Sequence, residues 1–268
     1  MKTNIFIEGI QGSGKSTLSN RLAQALPDAK VYHEGDISPV ELAWCSYMKK
    51  DQLQQILQKY PDFEEEIKEK TKIEGEYFIT SYTRIFTEMR AFYEEMEAHE
   101  IYNARVDYPF FHDTIMQRYK AFSEHNCIFE CSFFQNSIES MMLFYQMEED
   151  EIVEFYREAY EILKPKGFTM LYLDSDHIRE NILQIKKERS DENGVEMWYP
   201  LMLNYLKESP YGKMHHYQGL EDMIAHFERR HEIEMRVIRE ILKDSCIILK
   251  AKEYDFNKLL GRIAEYEN

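Results

Sequence analysis

Nine residues, Gly9 to Thr17, read GIQGSGKST and carry the most specific chemical pattern in this 268-residue chain. They satisfy GxxxxGK[ST], with Gly9, Gly14, Lys15 and Ser16 at the fixed places. The chemistry explains the spacing. Glycines let the backbone turn so that successive N–H groups, here those of Gln11, Gly12, Ser13 and Gly14, wrap a phosphate. A helix that starts at the end of the loop points its positive end at the same anion. Lys15 would reach the terminal phosphates of a nucleoside triphosphate, and the Ser16 hydroxyl, with Thr17 beside it, would serve magnesium. By rough residue frequencies, a chance match somewhere in a chain this long is about a 1% event.

Such a loop needs a strand before it and a helix after it. Asn4-Ile5-Phe6-Ile7-Glu8 is a short run rich in β-formers, and Leu18, Leu22, Ala25 and Leu26 recur at helical spacing up to Pro27. Lys30 to His33 reads as a second strand ending in Glu34-Gly35-Asp36. Acids at the carboxyl end of a strand lie where open α/β sheets bind ligands, so Glu34 or Asp36 could take a proton from an attacking hydroxyl. The alternative is a solvated turn in which Asp36 caps a helix. Cys127 to Cys131 is a third strand that delivers Glu130 at its end, as a magnesium ligand or as a satisfied structural carboxylate.

Phe168 to Leu173 is a fourth strand, followed by Asp174-Ser175-Asp176. Taken alone, that ending also looks like a Walker B strand, but the next residues decide against it. Ile178, Ile182 and Ile185 make a helix face, and Arg179, Lys186, Lys187 and Arg189 gather on that helix before the polar loop Ser190 to Gly194. A basic helix end before a flexible loop suits a lid over residues 177–216 that brings Arg179, Lys186 and Arg189 to a triphosphate. Cations at a helix C-terminus are also favourable without any ligand.

Residues 38–126 read as a helical insertion, with Asp62 to Glu74 as a solvated helix face. Fifteen aromatic residues fall between Tyr77 and Phe134, interspersed with Arg84, Arg90, Arg105 and Arg118, which is the composition of a pocket for a flat ligand as well as of a core. Gln135 to Lys164 reads as one long helical stretch, Cys246 to Leu249 as a fifth strand and Asp255 to Tyr266 as a terminal helix. Strands alternating with helices imply an α/β fold with a five-stranded parallel sheet covered on both faces, in one domain over residues 1–268.

The formal net charge of -16 argues against a general nucleic-acid surface and an anionic membrane, and favours a small molecule held in a local basic pocket. No run is long and apolar enough to span a membrane, and the N-terminus has no secretory pattern. The four cysteines show no CxxC pairing, Cys127 and Cys131 read as small core residues, and a reducing cytoplasm is expected. His215-His216 reads as a loop pair, with no metal-ligand spacing among the histidines.

The order of these parts resembles the P-loop nucleoside and nucleotide kinases, of the thymidylate kinase and deoxynucleoside kinase kind. Phe129-Glu130-Cys131-Ser132 is similar to the family's Glu-Arg-Ser segment, with Cys131 where the family has arginine, and Glu34 to Trp44 is similar to its acid-then-tryptophan segment. The resemblance implies a P-loop NTPase fold, ATP and Mg2+ as cofactors, Ser16 and Glu130 on the metal, Glu34 or Asp36 as general base, and Arg179, Lys186 and Arg189 as phosphate contacts. The expected activity is phosphoryl transfer to a small acceptor, a nucleoside or nucleoside monophosphate; a homodimer is left open. Rival readings are a kinase for an antibiotic or other metabolite, a nucleotide-binding regulator without transfer chemistry, and a DNA- or motor-type ATPase, the last disfavoured by the acidic charge.

Overall fold

Ile5 and Ile7 alternate with Phe6 and Glu8 along the first strand, and all four are buried. Burial on both faces is what a strand in the middle of a parallel sheet requires. The computed structural model describes residues 3–175, 177–191 and 194–265. Asp176 of the LDSD segment, Glu192 and Asn193 of the polar loop and Tyr266 of the terminal helix lie outside the described residues.

In chain order the elements are β1 (Asn4–Gly9), α1 (Lys15–Ala25), β2 (Lys30–Tyr32), β3 (Ser46–Lys49), α2 (Lys50–Lys59), α3 (Glu64–Glu69), β4 (Thr71–Glu74), β5 (Tyr77–Thr80), α4 (Arg90–Glu97) and α5 (Tyr108–Ala121). There follow β6 (Cys127–Glu130), α6 (Gln135–Glu139), α7 (Glu149–Leu163), β7 (Phe168–Asp174), α8 (Ile178–Glu188), α9 (Trp198–Glu208), α10 (Pro210–Met214), α11 (Leu220–Val237), β8 (Cys246–Lys250) and α12 (Phe256–Glu265). The chain divides into two compact units, one made of Met1–Val31 with Ser123–Asn268, the other of Tyr32–Phe122.

The first unit is built on a five-stranded sheet in the order β2-β6-β1-β7-β8, and β1, at its centre, runs parallel to both β6 and β7. Asn4 fastens the entry: its side-chain amide donates to the carbonyls of Glu124 and Lys166, both at 3.1 Å, and its oxygen accepts from Cys127 N at 3.1 Å. On one face Ile5 and Ile7 pack with Leu18 and Leu22 of α1 and Leu259 and Ile263 of α12. On the other, Phe6 stacks between Phe129 and Phe168 at 4.7 and 4.8 Å, and Tyr160 of α7 closes on Phe168 at 5.7 Å. Each fully buried aliphatic or aromatic side chain of this kind contributes about 1.5–3 kcal/mol. The α/β architecture expected from the sequence, a five-stranded parallel sheet with helices on both faces, is the one the chain adopts.

Two local expectations are corrected. The stretch from Gln135 to Lys164 is not one helix: α6 passes through a π-helical turn, Ser140–Phe144, and ends before α7, with Gln146 at φ 52 in the break. Glu148 restarts the chain as α7 with a reciprocal cap in which its own amide donates to Glu151 Oε2 at 2.9 Å. Residues 38–126 are not helical throughout either. The second unit carries a three-stranded antiparallel sheet in the order β3-β5-β4, and the charged run Asp62 to Glu74 is a short helix followed by a strand. A two-residue turn with Gly75 at φ 61 joins β4 to β5, the geometry that favours glycine in tight hairpins. Met48, Ile56, Ile67, Tyr82, Phe92 and Met96 form this unit's core.

Candidate active site

The loop between β1 and α1 is shaped by glycines at three left-handed positions: Gly9 at φ 143, Gly12 at φ 78 and Gly14 at φ 100. Two of them are also places of close approach. A Cβ at Gly9 would lie 2.6 Å from the Leu173 carbonyl, and one at Gly12 would lie 2.6 Å from Ile185 Cδ1. Gly14 is the N-cap of α1, whose own first turn holds no acidic residue, so the positive end of the helix faces the loop. Lys15 is buried and curls onto its own loop, donating to the Gly9 carbonyl at 2.7 Å and the Ile10 carbonyl at 3.3 Å. The buried Ser13 hydroxyl has no partner, and Ser16 and Thr17 are exposed at the start of the helix.

Glu130 pairs in register with Ile7 across β6 and β1, which delivers its carboxylate to the carboxyl end of the strand that feeds the loop. There the Ser16 hydroxyl donates to Glu130 Oε1. The two residues expected on magnesium are thus in contact, a hydroxyl and a carboxylate oxygen of the kind that ion takes. Together with the anion-facing amides, the donor set fits a divalent ion that draws its remaining ligands from phosphate and water. Among the described residues no group of three or more His, Cys, Asp or Glu gathers to hold a metal by itself. Asp174, the other strand-end acid, is paired with His231 at 2.7 Å.

The cations expected in the lid lie on or beside α8, which packs on the loop through Ile185. Each is engaged nearby: Arg179 donates to Glu221 at 2.8 Å, Lys186 pairs with Glu196 at 3.2 Å and sits over Tyr199, and Arg189 lies over the Trp198 ring. Ser190 and Glu196 form an isolated antiparallel bridge. Beside Asn181 of α8, whose carbonyl is 3.7 Å from a Cβ placed at Gly12, a cleft of about 380 Å³ opens at the carboxyl ends of β7 and β8, lined by Asp174, Ser175, His177, Asn181, Lys250 and Lys252.

In the second unit, Gly35 at φ 85 turns the chain between the two candidate bases. Glu34 is exposed and accepts from the Trp44 indole at 2.9 Å. Asp36 has both oxygens engaged, one by the His33 amide at 2.8 Å and one by Arg84 at 2.9 Å. A cleft of about 530 Å³ in this unit is lined by Asp36, Ile37, Lys70, Lys72, Arg84 and Phe86, the last of which is 86% exposed. Of the fifteen aromatics between Tyr77 and Phe134, nine are buried (Tyr82, Phe92, Tyr102, Phe111, Tyr119, Phe122, Phe129, Phe133 and Phe134), so that segment is mostly core.

Sequence reasoning missed a buried polar cluster in the first unit. Arg230, His226 and Glu234 of α11 are all buried, with Glu139 of α6 and Tyr172 of β7 against them. Arg230 donates to Glu234 Oε1 at 2.7 Å, to Glu139 Oε1 at 2.9 Å and to the Gln11 side chain of the loop at 3.1 Å. Glu139 also meets His226 at 2.8 Å, and Tyr172 donates to Glu234 at 2.6 Å. Burial alone would push the Glu139 carboxyl up, but His226 and Arg230 outweigh it and hold it at about 2. Glu8, on β1 just before the loop, has no cation in hydrogen-bond contact, and burial lifts it to about 7 against the pull of the Phe133 amide. A signal was present: 223, 227, 230, 234 and 237 share one helical face, and two charges sit on a face that Met223, Phe227 and Val237 make apolar.

No family model matches the chain, and no curated protein matches it. Among solved structures, it aligns over 99% of its length with 96% of a shikimate kinase from Aquifex aeolicus, at 12% identity and a TM-score of 0.34. It aligns over 98% of its length with 89% of a thymidylate kinase from Candida albicans, at 13% identity and a TM-score of 0.33. Superpositions this loose say nothing of substrate or chemistry, which the residues of this chain must decide.

Proposed function

We propose that this protein is an ATP- and magnesium-dependent kinase that transfers a phosphoryl group to a hydroxyl of a small acceptor, a nucleoside or nucleoside monophosphate. The observation that carries the reading is the contact of Ser16 with Glu130 at the mouth of a glycine-built loop that runs into the N-terminus of α1. A triphosphate would replace the two carbonyls that Lys15 now holds, exchanging neutral acceptors for charged ones. The loop amides and Lys15 would cradle its β- and γ-phosphates, and the nucleoside end would take the cleft beside Asn181.

A magnesium ion on Ser16 and Glu130 would neutralise charge on the phosphate oxygens. The acceptor's proton would pass to a carboxylate as its oxygen bonds to the γ-phosphorus and ADP leaves. That carboxylate would be Glu34 or Asp36, which flank Gly35 after β2, Glu34 accepting from Trp44 and Asp36 from His33 and Arg84. Arg179, Lys186 and Arg189 would exchange their present partners for phosphate oxygens, which makes them conditional contributors. Residues 177–216 would act as the lid and the second unit as the acceptor-binding insertion.

The test is ADP release with ATP and magnesium over a panel of nucleosides, nucleoside monophosphates and non-nucleotide alcohols. Lys15→Ala should lower turnover by several orders of magnitude with the fold intact. Glu34→Gln and Asp36→Asn separate the two candidates: neutralising the base should lower kcat about 100-fold or more, and neutralising the other should leave kcat much less changed. Acceptor-dependent turnover that survives in Lys15→Ala would refute the reading. Silence across the panel with ATP still bound would favour a nucleotide-binding protein without transfer chemistry.

A further inference from the structure

We infer that Arg230 is a positioning residue for the phosphate loop: through the Gln11 side chain it sets the loop's conformation, so that triphosphate affinity depends on a buried guanidinium of α11. The inference rests on the phosphate-binding reading of residues 9–17.

Ile10 anchors the start of the loop in a cluster with Leu143, Ile182 and Ile185, but the residues that turn after it depend on fewer side-chain contacts. Gly12 and Gly14 lie at positive φ, and Ser13, whose amide caps the Ile10 carbonyl at 3.1 Å, has a hydroxyl with no partner. Gln11 lies in the middle of this stretch, and its Oε1 accepts from Arg230 Nη1, a residue 219 positions away. The tether is stiff because the guanidinium cannot turn. Its Nε is fixed on Glu234, whose other oxygen is taken by Tyr172, and its Nη1 is fixed on Glu139, whose other oxygen is taken by His226. Arg230 is itself wholly buried, while Gln11 is half-buried, so the bond is held from the α11 side.

The arrangement is not explained by ion pairing alone. A guanidinium offers five N–H donors, and Nη2 is buried with no hydrogen-bond partner among the described residues. Leaving those donors unmade is unfavourable in a buried cluster that serves stability only. The geometry instead spends one Nη1 donor on a neutral side chain of the loop while the charge is matched by the two carboxylates. The guanidinium therefore adds little net positive potential at the loop; what it supplies is orientation.

Gln11→Ala removes the tether and leaves both carboxylate contacts of Arg230 in place, so it is the informative variant. Isothermal titration with ATP and magnesium should show affinity weakened about tenfold, while the melting temperature without nucleotide moves little. Amide exchange at Gly12 to Lys15, measured without nucleotide, should be faster in Gln11→Ala than in the parent. Arg230→Lys should weaken ATP similarly, and the double variant should be no worse than Arg230→Lys alone, as expected of two residues acting through one bond. Unchanged affinity and unchanged exchange in Gln11→Ala would overturn the inference even if Arg230→Lys fails to fold. Should the parent protein not bind ATP, the phosphate-binding reading falls, and the exchange measurement still decides whether the tether orders the loop.

Discussion

Glu8→Gln should remove a loss of stability that the parent protein suffers as pH rises, and its size follows from where Glu8 sits. The side chain is fully buried one residue before the loop, with Oε1 accepting from the amides of Phe133 and Phe134 at 2.6 and 3.1 Å and Oε2 without a partner. Burial lifts the carboxyl from 4.5 to about 7; the two amides and Lys15 pull it down, and Glu234 pushes it further up. Between those values the folded protein keeps a proton that the unfolded chain has released, so stability falls with rising pH across that window.

At about 1.4 kcal/mol per decade the whole window is worth on the order of 3 kcal/mol. Between about pH 5 and pH 8 roughly 2.5 kcal/mol of it is expressed, because at pH 5 the unfolded carboxyl is already mostly ionised. Glutamine keeps the acceptor that the two amides need and cannot ionise. Urea unfolding of both proteins at the two pH values gives the answer as a difference. Glu41 and Glu100, which burial raises to about 7 and about 8, titrate in both proteins and cancel. Parallel pH profiles would show that Glu8 is already relieved by water or by Lys15, and the reasoning would fail.

Two further outcomes are expected. Gly12→Ala places a Cβ 2.6 Å from Ile185 Cδ1 at φ 78, and should cost about 1–3 kcal/mol of stability through backbone strain, with Ile185→Ala relieving the clash but not the strain; full rescue in the double variant, read by thermal melting, would locate the cost in the contact alone. Glu139→Gln leaves Arg230 and His226 short of a counter-charge and should cost about 3–5 kcal/mol near neutral pH. Since the Glu139 carboxyl is held at about 2, its contribution is present above its ordinary value of 4.5 and lost as pH falls toward 2, so the variant should also lose part of the acid limb of the unfolding profile.

The phosphate loop was legible because everything that defines it is local: the glycine spacing, the β-forming run before it and the helical period after it all fall within Asn4 to Leu26. The Ser16–Glu130 contact was legible for a related reason, since an acid at the end of a buried parallel strand has one place to go. The second sheet was hidden. β4 reads Thr-Lys-Ile-Glu, and as the edge strand of the order β3-β5-β4 it buries none of these residues. A charged edge strand lacks the alternation that marks a half-buried one, and its charge discourages further pairing. The break after the π-helical turn was hidden too, because Gln146 takes a left-handed conformation with no glycine or proline to announce it. Arg230 escaped notice because Glu139 and Gln11 reach it from distant parts of the chain, and a charged residue is by default assigned to the surface.

A chain with a net charge of -16 that is to hold a polyanion must create positive potential locally, and the structure limits where it can do so. The charge of Arg230 is offset by Glu139 and Glu234, and that of Arg179 by Glu221. At the loop itself, Lys15, the turned amides of residues 11–14 and the N-terminus of α1 would supply it. All of these act at contact range, while the repulsion from the rest of the chain is spread and screened beyond about 8 Å at physiological salt. On the proposed function, encounter with a triphosphate would therefore be slowed by the whole protein and secured by the loop. For that reason affinity should be governed by how well nine residues keep their shape, and the side chains beneath them that fix that shape belong to the site as much as those that touch phosphate.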